Sequence, residues 1–251
     1  MSDSSSTADN DAAPKQVRIF MDGAFDMMHF GHMNAFRLGR ELGTHLLVGI
    51  NSDKSITECK GPPLMNDHER RTMVESCKFV DQVLPECPYI MNKEYLDFII
   101  REYKVDFVIH GDDPCIVDGK DVYATAKEAG RYRSIPRTEG ISTTDIVGRV
   151  LSMSRNASLH DSETGSASPP SILGQTSRFL TTTNLLSSFS VGNEAPKPGM
   201  KVVYIDGDFD MFHCGHVAIL KAAKEVSCSD QEKVIFNRKI KGTLRTRSQS
   251  S

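Results

Sequence analysis

The sequence predicts an α/β fold in which a parallel sheet carries helices on both faces. From residue 17 to residue 153, short β-branched runs alternate with helical patterns, and this alternation is typical of parallel sheets. Hydrophobic residues make up 39% of the 251 residues, which is enough for a core although long polar stretches dilute it. A chain of this length holds one large domain or two small ones.

Five strands and five helices are predicted in this first region. The strands cover residues 17–21, 45–50, 80–84, 106–110 and 132–135. The helices cover residues 31–42, 67–77, 93–103, 121–129 and 143–153, and Gly130 is expected to end the fourth of them. Ligands of open parallel sheets bind at the carboxyl ends of the strands, so the loops that follow the strands are where we expect a site.

The segments outside this region are predicted to differ from it in character. Residues 1–16 are rich in Ser and Asp, with no signal-peptide or anchor pattern, and are predicted to be disordered. Residues 154–199 are predicted to be a polar linker, in which 176–190 has spaced apolar residues that could dock. Residues 200–226 are predicted to be an incomplete second copy of the first region, and residues 227–251 a divergent basic tail.

Composition argues against several classes of function. The net charge of −3 gives no basic field for nucleic acid, and no apolar run approaches the 18 residues of a membrane span. The six cysteines form no C-x-x-C pair, which favours reduced thiols in a cytoplasmic protein.

One motif occurs twice in the chain. The stretch FDMMHFGH at residues 25–32 recurs as FDMFHCGH at residues 209–216. The second copy is predicted to be one strand (201–205) and one helix (215–226), which is too little to surround a ligand. We expect a truncated, catalytically silent remnant of a tandem repeat, with docking onto the first region as an alternative.

Four loops of the first region carry the candidate site. His29 and His32 lie three residues apart at a helix start, on the same face as free backbone N–H groups, an arrangement suited to phosphate. A metal-binding or structural role for the pair stays open, as does a merely solvated Lys60 in its Gly/Pro loop. The segments IHGDDP (109–114) and RTEGISTTDI (137–146) end two further strands, and the second has capping-box spacing.

The segments DGAFDMMHFGH, KGPP and RTEGISTTDI resemble the cytidylyltransferase family of the H-x-G-H nucleotidyltransferases, and the match covers residues 17–153. The resemblance implies a Rossmann-like sheet. The two-copy layout is similar to the phosphoethanolamine branch of that family, which has two such domains joined by a linker. It implies transfer of CMP from CTP to phosphoethanolamine, giving CDP-ethanolamine and pyrophosphate for phospholipid biosynthesis, in the cytoplasm or peripherally at the endoplasmic reticulum.

The resemblance also implies roles for individual residues. The catalytic residues would be His29, His32, Lys60 and Arg137. The CTP contacts would be Gly23, Ala24, Phe25, His110, Gly111, Thr138, Gly140, Ile141, Ser142 and Thr143. The second substrate would meet Asp22, Tyr89 and Cys115. Mg²⁺ is expected on the triphosphate, held by substrate oxygens and water rather than by a protein metal site, and a homodimer is left open.

The choice of the second substrate is predicted from the aromatic and acidic residues of the candidate site. An aromatic cage suits the quaternary ammonium of choline, whereas a primary ammonium prefers a carboxylate such as Asp22. Of the two aromatic positions that the choline enzymes carry, Tyr89 is retained and Cys115 is not aromatic. Ethanolamine is therefore favoured over choline, and glycerol 3-phosphate would leave Asp22 without a purpose. An alternative of a different functional class is that the chain is a catalytically inactive, truncated partner rather than an enzyme.

Overall fold

A computed structural model of the chain describes residues 16–160, 202–207, 209–226 and 233–238. The strands of the first region are β1 (Arg18–Gly23), β2 (His45–Asn51), β3 (Gln82–Cys87), β4 (Phe107–Gly111), β5 (Ile116–Val117), β6 (Lys120–Asp121) and β7 (Tyr132–Ile135). Its helices are α1 (Phe30–Glu41), α2 (Asp53–Cys59), α3 (Asp67–Glu75), α4 (Lys93–Tyr103), α5 (Ala124–Glu128) and α6 (Thr143–His160). The five predicted strands are all present, each within a few residues of its predicted bounds.

Five strands form one parallel sheet in the order β3-β2-β1-β4-β7. The central strand β1 pairs with β2 through Met21 and Val48, and with β4 through Met21 and Ile109. The chain winds outwards from β1 in one direction and then in the other. The carboxyl ends of β1 and β4 therefore border the crevice at which such sheets bind ligands.

Helices cover both faces of the sheet, as predicted. Along β1, Ile19 and Met21 belong to one buried cluster, and Phe20, between them, belongs to the other. The first cluster includes Phe36 of α1 together with Met73 and Val74 of α3. The second cluster includes Leu96 and Ile99 of α4 and Ala126 of α5. This alternation of side chains is the geometry of an extended strand buried on both faces.

The structure corrects three details of the predicted elements. Helix α2 was not predicted, and Lys60, which was expected in a Gly/Pro loop after the second strand, is the C-cap residue of this helix. The helix predicted at 121–129 is shorter, because the hairpin of β5 and β6 precedes it. Helix α6 continues to His160 rather than ending at residue 153. Residues 1–15 of the predicted disordered segment 1–16, and residues 161–199 of the predicted linker, lie outside the described residues.

The second copy forms a β-α-β unit rather than the predicted single β-α unit. It consists of β8 (Val202–Gly207), α7 (Cys214–Val226) and β9 (Lys233–Arg238). Strands β8 and β9 pair in parallel, and α7 supplies the crossover that parallel pairing needs. The predicted basic tail thus contains a strand, and its remainder lies outside the described residues. Helix α7 packs on α3 of the first region.

Two further findings concern the described part of the chain. None of its helices has both the length and the apolar character needed to cross a membrane. Its five cysteines, at 59, 77, 87, 115 and 214, are all free thiols, in agreement with the prediction for these five.

Candidate functional site

A cavity of about 600 Å³ opens at the carboxyl ends of the central strands. Residues from all four predicted loops line it. Those that the sequence had singled out are Asp22, Gly23, Ala24, Phe25, His32, Lys60, Tyr89, His110, Gly111, Cys115 and Thr143. The other candidates lie outside the lining of this cavity, namely His29, Arg137, Thr138, Gly140, Ile141 and Ser142. The convergence follows from the topology, because parallel strands end at the same edge of the sheet.

The two histidines cap helix α1. His29 is the N-cap residue, and its Nδ1 accepts a hydrogen bond from the Gly31 amide at 3.0 Å. His32 lies at the third helical position, and its Nδ1 accepts a hydrogen bond from the His29 amide at 3.2 Å. The rings stack with centroids 4.0 Å apart. The structure therefore corrects one expectation, because two amides of this turn are occupied by the imidazoles rather than free for phosphate.

Both histidines are neutral at pH 7. Burial, followed by the nearby Arg137 charge, lowers the pKa of His29 to about 4. Burial, followed by His29 and the Lys60 charge, lowers the pKa of His32 to about 3. Because Nδ1 of each ring accepts an amide proton, the ring proton resides on Nε2. The pair thus offers two N–H donors that a phosphate oxygen can accept from, without carrying a fixed charge of its own.

The glycine between the histidines is required by close packing. A Cβ on Gly31 would lie 2.9 Å from Cε1 of His29, and one on Gly215 of the second copy would lie 2.8 Å from Cε1 of His213. In the second copy, His213 and His216 repeat the same two amide hydrogen bonds at 3.0 and 3.1 Å. In both copies, the two histidines of H-x-G-H therefore form the N-terminal cap of the helix that follows.

The loop that precedes α6 is anchored by its polar side chains. The Arg137 amide donates to Asp112 Oδ1 at 3.0 Å, and the Arg137 guanidinium forms an ion pair with Asp113. Thr138 Oγ1 accepts a hydrogen bond from Asn34 Nδ2 on α1 at 2.9 Å. The charge of Arg137 is therefore partly balanced by Asp113 before any ligand arrives.

The two hydroxyl groups at the start of α6 also have partners within the protein. Ser142 Oγ donates to Asp145 Oδ2 at 2.6 Å and accepts from the Asp145 amide, which is the capping interaction predicted by the spacing. Thr143 Oγ1 donates to the Asp26 carbonyl at 3.0 Å. A phosphate that used either hydroxyl as a donor would first displace these bonds. Gly140 provides the left-handed turn that leads into this cap, with φ of +74°.

Asp22 is a buried carboxyl at the base of the cavity, with only 4% of its surface exposed. The Tyr123 hydroxyl donates to its Oδ1 at 3.1 Å. Burial raises the pKa of Asp22 to about 7, and the polar side chains of Tyr123 and Asn51 oppose the shift. The group is costly to ionise where it stands, and a cation in the cavity would relieve that cost.

Aromatic rings surround this carboxyl more fully than the sequence indicated. Tyr89 and Cys115 both line the cavity. Tyr123 also lines it, and the ring of His110 lies 4.6 Å from the Tyr123 ring. Burial raises the pKa of the Cys115 thiol, so this side chain remains a neutral thiol.

Arg70 of α3 is fully buried and ties together the loops that form the site. Its guanidinium donates to the carbonyls of Ala24 at 2.6 Å, Asn51 at 2.8 Å and Met65 at 3.1 Å. It also pairs with the carboxylates of Asp53 and Asp67. These contacts fix the turn after β1, the end of β2 and both ends of the segment that carries Lys60.

The carboxylate of Asp26 holds the same segment from the other side. Its oxygens accept hydrogen bonds from the amides of Leu64 at 2.8 Å and Met65 at 2.9 Å. The residues on either side of Asp26, Phe25 and Met27, both adopt positive φ angles, of 51° and 46°. This tight turn aims the carboxylate at the Lys60 segment instead of at the sheet.

Sequence reasoning missed Arg70, Asp26, Asn51 and Tyr123. Arg70 carried a usable signal, because it precedes Met73 and Val74 by three and four residues and so lies on the apolar face of α3. Asn51 ends an apolar strand and thus faces the ligand edge of the sheet. Tyr123 offered no sequence signal, since only the packing of α5 against the sheet brings it to Asp22.

Within the described residues, no group of three or more His, Cys, Asp or Glu side chains is arranged to hold a metal ion.

A comparison with protein families matches residues 20–149 of this chain to a model described as "Cytidylyltransferase-like". The matched range begins in β1 and ends within α6, so it contains the sheet and every candidate residue.

Individual relatives extend the similarity beyond that range. The chain is 46% identical over 229 residues to the ethanolamine-phosphate cytidylyltransferase of Arabidopsis thaliana, covering 84% of this chain and 54% of that protein. It is 43% identical over 221 residues to the ethanolamine-phosphate cytidylyltransferase of Dictyostelium discoideum, covering 84% of this chain and 60% of that protein. Choline-phosphate cytidylyltransferase 2 of A. thaliana is 36% identical over 151 residues, covering 58% of this chain and 48% of that protein. The chain thus spans little more than half the length of these ethanolamine-phosphate relatives.

Replacing Arg70 by Lys should lower the free energy of unfolding by about 2–4 kcal/mol. The reason is that a lysine ammonium cannot reproduce the contacts of the buried guanidinium with three carbonyls and two carboxylates. Urea unfolding monitored by circular dichroism measures this change. The control is Arg71→Lys on the same helix, where the guanidinium is half exposed and pairs with Glu75. We expect a change within about 0.5 kcal/mol for that variant. Equal effects of the two substitutions would contradict the central role of Arg70.

Replacing Asp22 by Asn should stabilise the fold at pH 8 and not at pH 4. A carboxyl whose folded pKa is raised contributes stability below its unfolded pKa and loses it as pH rises through the folded pKa of about 7. The gain is at most about 4 kcal/mol, since one pKa unit corresponds to about 1.4 kcal/mol. Denaturant unfolding across this pH range measures it, with the exposed Asp97→Asn as control. A pH-independent difference would contradict the prediction.

Proposed function

The chain belongs to the cytidylyltransferase-like family, and on that premise we propose that it transfers CMP from CTP to phosphoethanolamine, forming CDP-ethanolamine and pyrophosphate. One observation carries the proposal, namely that a single cavity combines groups suited to both substrates. His32 and Lys60 offer an N–H donor and a positive charge for phosphates, and Asp22 offers a buried carboxylate for an ammonium. The similarity to two ethanolamine-phosphate cytidylyltransferases along 84% of the chain supports it.

In the proposed reaction a phosphate oxygen of phosphoethanolamine attacks the α-phosphorus of CTP in line. The new bond joins this oxygen to the α-phosphorus, and the bond from the α-phosphorus to the bridging β-oxygen breaks as pyrophosphate leaves. No covalent intermediate with the protein is required. The protein therefore contributes positioning and stabilisation of negative charge, which are the main sources of catalysis in phosphoryl-type transfers.

We assign the stabilisation of the triphosphate to four residues. The Nε2–H groups of His29 and His32 would donate to phosphate oxygens as charge shifts toward the leaving pyrophosphate. This role suits their neutral state, because a stacked pair of imidazolium ions would repel each other. Lys60 would supply positive charge within the cavity, and Arg137 would supply it from the rim after exchanging Asp113 for phosphate.

The remaining CTP contacts are proposed for the loops that end β1 and β4 and for the loop before α6. Gly23, Ala24, Phe25, His110 and Gly111 line the cavity, where they would contact CTP, and His110 and Gly111 are proposed for the cytidine part. The nucleotide would also meet Thr138, Gly140, Ile141, Ser142 and Thr143. The hydrogen bond from Asn34 to Thr138 supports this assignment, because it holds the loop before α6 next to α1, the helix that carries His32.

Mg²⁺ bound to the triphosphate stays a prediction. The described residues contain no cluster of metal ligands, so we assign no step of the reaction to a protein-held ion. An ion carried by substrate oxygens and water would fit such a site. A cytoplasmic location, peripheral association with the endoplasmic reticulum and a homodimer likewise stay predictions.

Asp22 supports ethanolamine as the second substrate's head group. A primary ammonium can donate hydrogen bonds to a carboxylate, and its charge would favour the ionised form of Asp22 that burial disfavours. Phosphocholine is the second candidate, and a specific observation favours it. The rings of Tyr89, Tyr123 and His110 lie around the same part of the cavity, where they could contact a quaternary ammonium. Glycerol 3-phosphate has no cation to match Asp22.

The assay that tests the proposal is formation of labelled CDP-ethanolamine from phosphoethanolamine and CTP by the purified chain. We expect product with CTP and much less with ATP, because the loops proposed to surround cytidine are those of the matched family. Adenylyl transfer without cytidylyl transfer would refute the proposal. Binding of CTP without turnover would favour the inactive partner instead.

The two H-x-G-H copies should respond differently to mutation. Replacing His29 and His32 by Ala together should reduce kcat by a factor of about a hundred or more, the usual cost of losing a charge-stabilising donor. Replacing His213 and His216 by Ala should leave kcat nearly unchanged, because that pair caps α7 and none of the residues proposed to bind CTP belongs to the second copy. Comparable losses from both double variants would show that the second copy belongs to a working site.

Phosphoethanolamine should exceed phosphocholine in kcat/KM, and Asp22→Asn should reduce this preference. The physical reason is that a desolvated ammonium needs its carboxylate, whereas an aromatic contact does not. For the wild type, the KM for phosphoethanolamine should fall as pH rises through about 7, because ionised Asp22 is the form that binds. Steady-state kinetics from pH 6 to pH 8 measure both effects. Equal use of the two substrates by the wild type would refute the assignment.

A further inference from the structure

The second copy contacts the first region through α3, the helix that carries Arg70. Helix α7 packs on α3, and Val217 of α7 is only 3% exposed. Val217 belongs to the same buried cluster as Met65, Met73 and Val74, and Phe212 packs against that cluster. Other residues of α7 remain open to solvent, including Ile219 at 55% exposure. Val217 is therefore the buried apolar side chain that α7 adds to this cluster, and Phe212 packs against the cluster from just before the helix.

Helix α3 depends on such external contacts. It has nine residues, which is too short to be stable alone in water. Its buried face consists of Arg70, Met73 and Val74. Arg70 and Val74 are one turn apart, so a shift of α3 at the Val217 contact would also move the guanidinium. That guanidinium fixes both ends of the segment that carries Lys60.

We propose that the second copy acts as a brace, in which Val217 holds α3 and thereby positions the Lys60 segment for the triphosphate. Val217 is a positioning residue, since it acts through α3 and Arg70 and does not line the cavity. The brace gives the second copy of the motif a structural role that does not require it to bind a ligand. Its kinetic consequence rests on the proposed function, whereas its structural consequence does not.

The structural consequence is measured by hydrogen exchange of the Leu64 and Met65 amides, which donate to Asp26 beside the Arg70 contacts. In the full chain, Val217→Asp and the milder Val217→Ala should accelerate exchange in residues 64–67. The amides of α4, on the opposite face of the sheet, should be unchanged. Ile219→Asp on the same helix is the matched control and should alter neither region.

The kinetic consequence is a rise in the KM for CTP of about two- to thirtyfold in the Val217 variants, the range typical of coupling through packed elements, with a smaller change in kcat. The conservative variant Val217→Ile should keep the KM for CTP and the exchange rates of the wild type. If Val217→Asp does not fold, Val217→Ala decides the question. Unchanged exchange in residues 64–67, or equal effects of Val217→Ala and Ile219→Asp, would overturn the brace. A wild type that makes no CDP-ethanolamine would refute the proposed function and leave the exchange test standing.

Discussion

The buried guanidinium of Arg70 is the contact on which the candidate site depends. Backbone carbonyls at the carboxyl ends of strands are left without partners where the chain turns away from the sheet, and a buried carbonyl without a donor is costly. Arg70 satisfies two such carbonyls, in the turn after β1 and at the end of β2, and a third carbonyl just before α3. Asp53 and Asp67 balance the charge of the guanidinium. Its contacts therefore connect three loops that border the cavity.

The histidine pair shows the opposite principle, a geometry that needs only a few neighbouring residues. Each imidazole satisfies an amide of its own helix turn, and the same arrangement forms in both copies of the motif. In the first copy, burial and nearby charges lower the pKa values of His29 and His32. The motif therefore supplies the donors, and the surrounding domain sets their electrostatics.

The cavity retains groups that reduce the stability of the fold. Within the described part of the chain, Asp22 is buried without a cationic partner, and the turn around Asp26 holds Phe25 and Met27 at positive φ angles that side chains disfavour. Buried ionisable groups and strained turns of this kind are typical of binding sites, because a ligand can interact with them in ways that an apolar core does not allow. The large apolar clusters on the two faces of the sheet offset these costs.

The sequence by itself determined the alternating elements, the parallel sheet, the cap at Ser142 and the set of loops that converge at one edge, because these depend on periodicity and on short-range hydrogen bonds. It did not reveal α2, the strand β9, the ion pair of Arg137, or the roles of Arg70 and Tyr123. Those features depend on contacts between residues far apart in the chain, such as the 101 positions between Asp22 and Tyr123. Only tertiary packing decides which distant polar groups share a buried space, and so which charges the cavity presents.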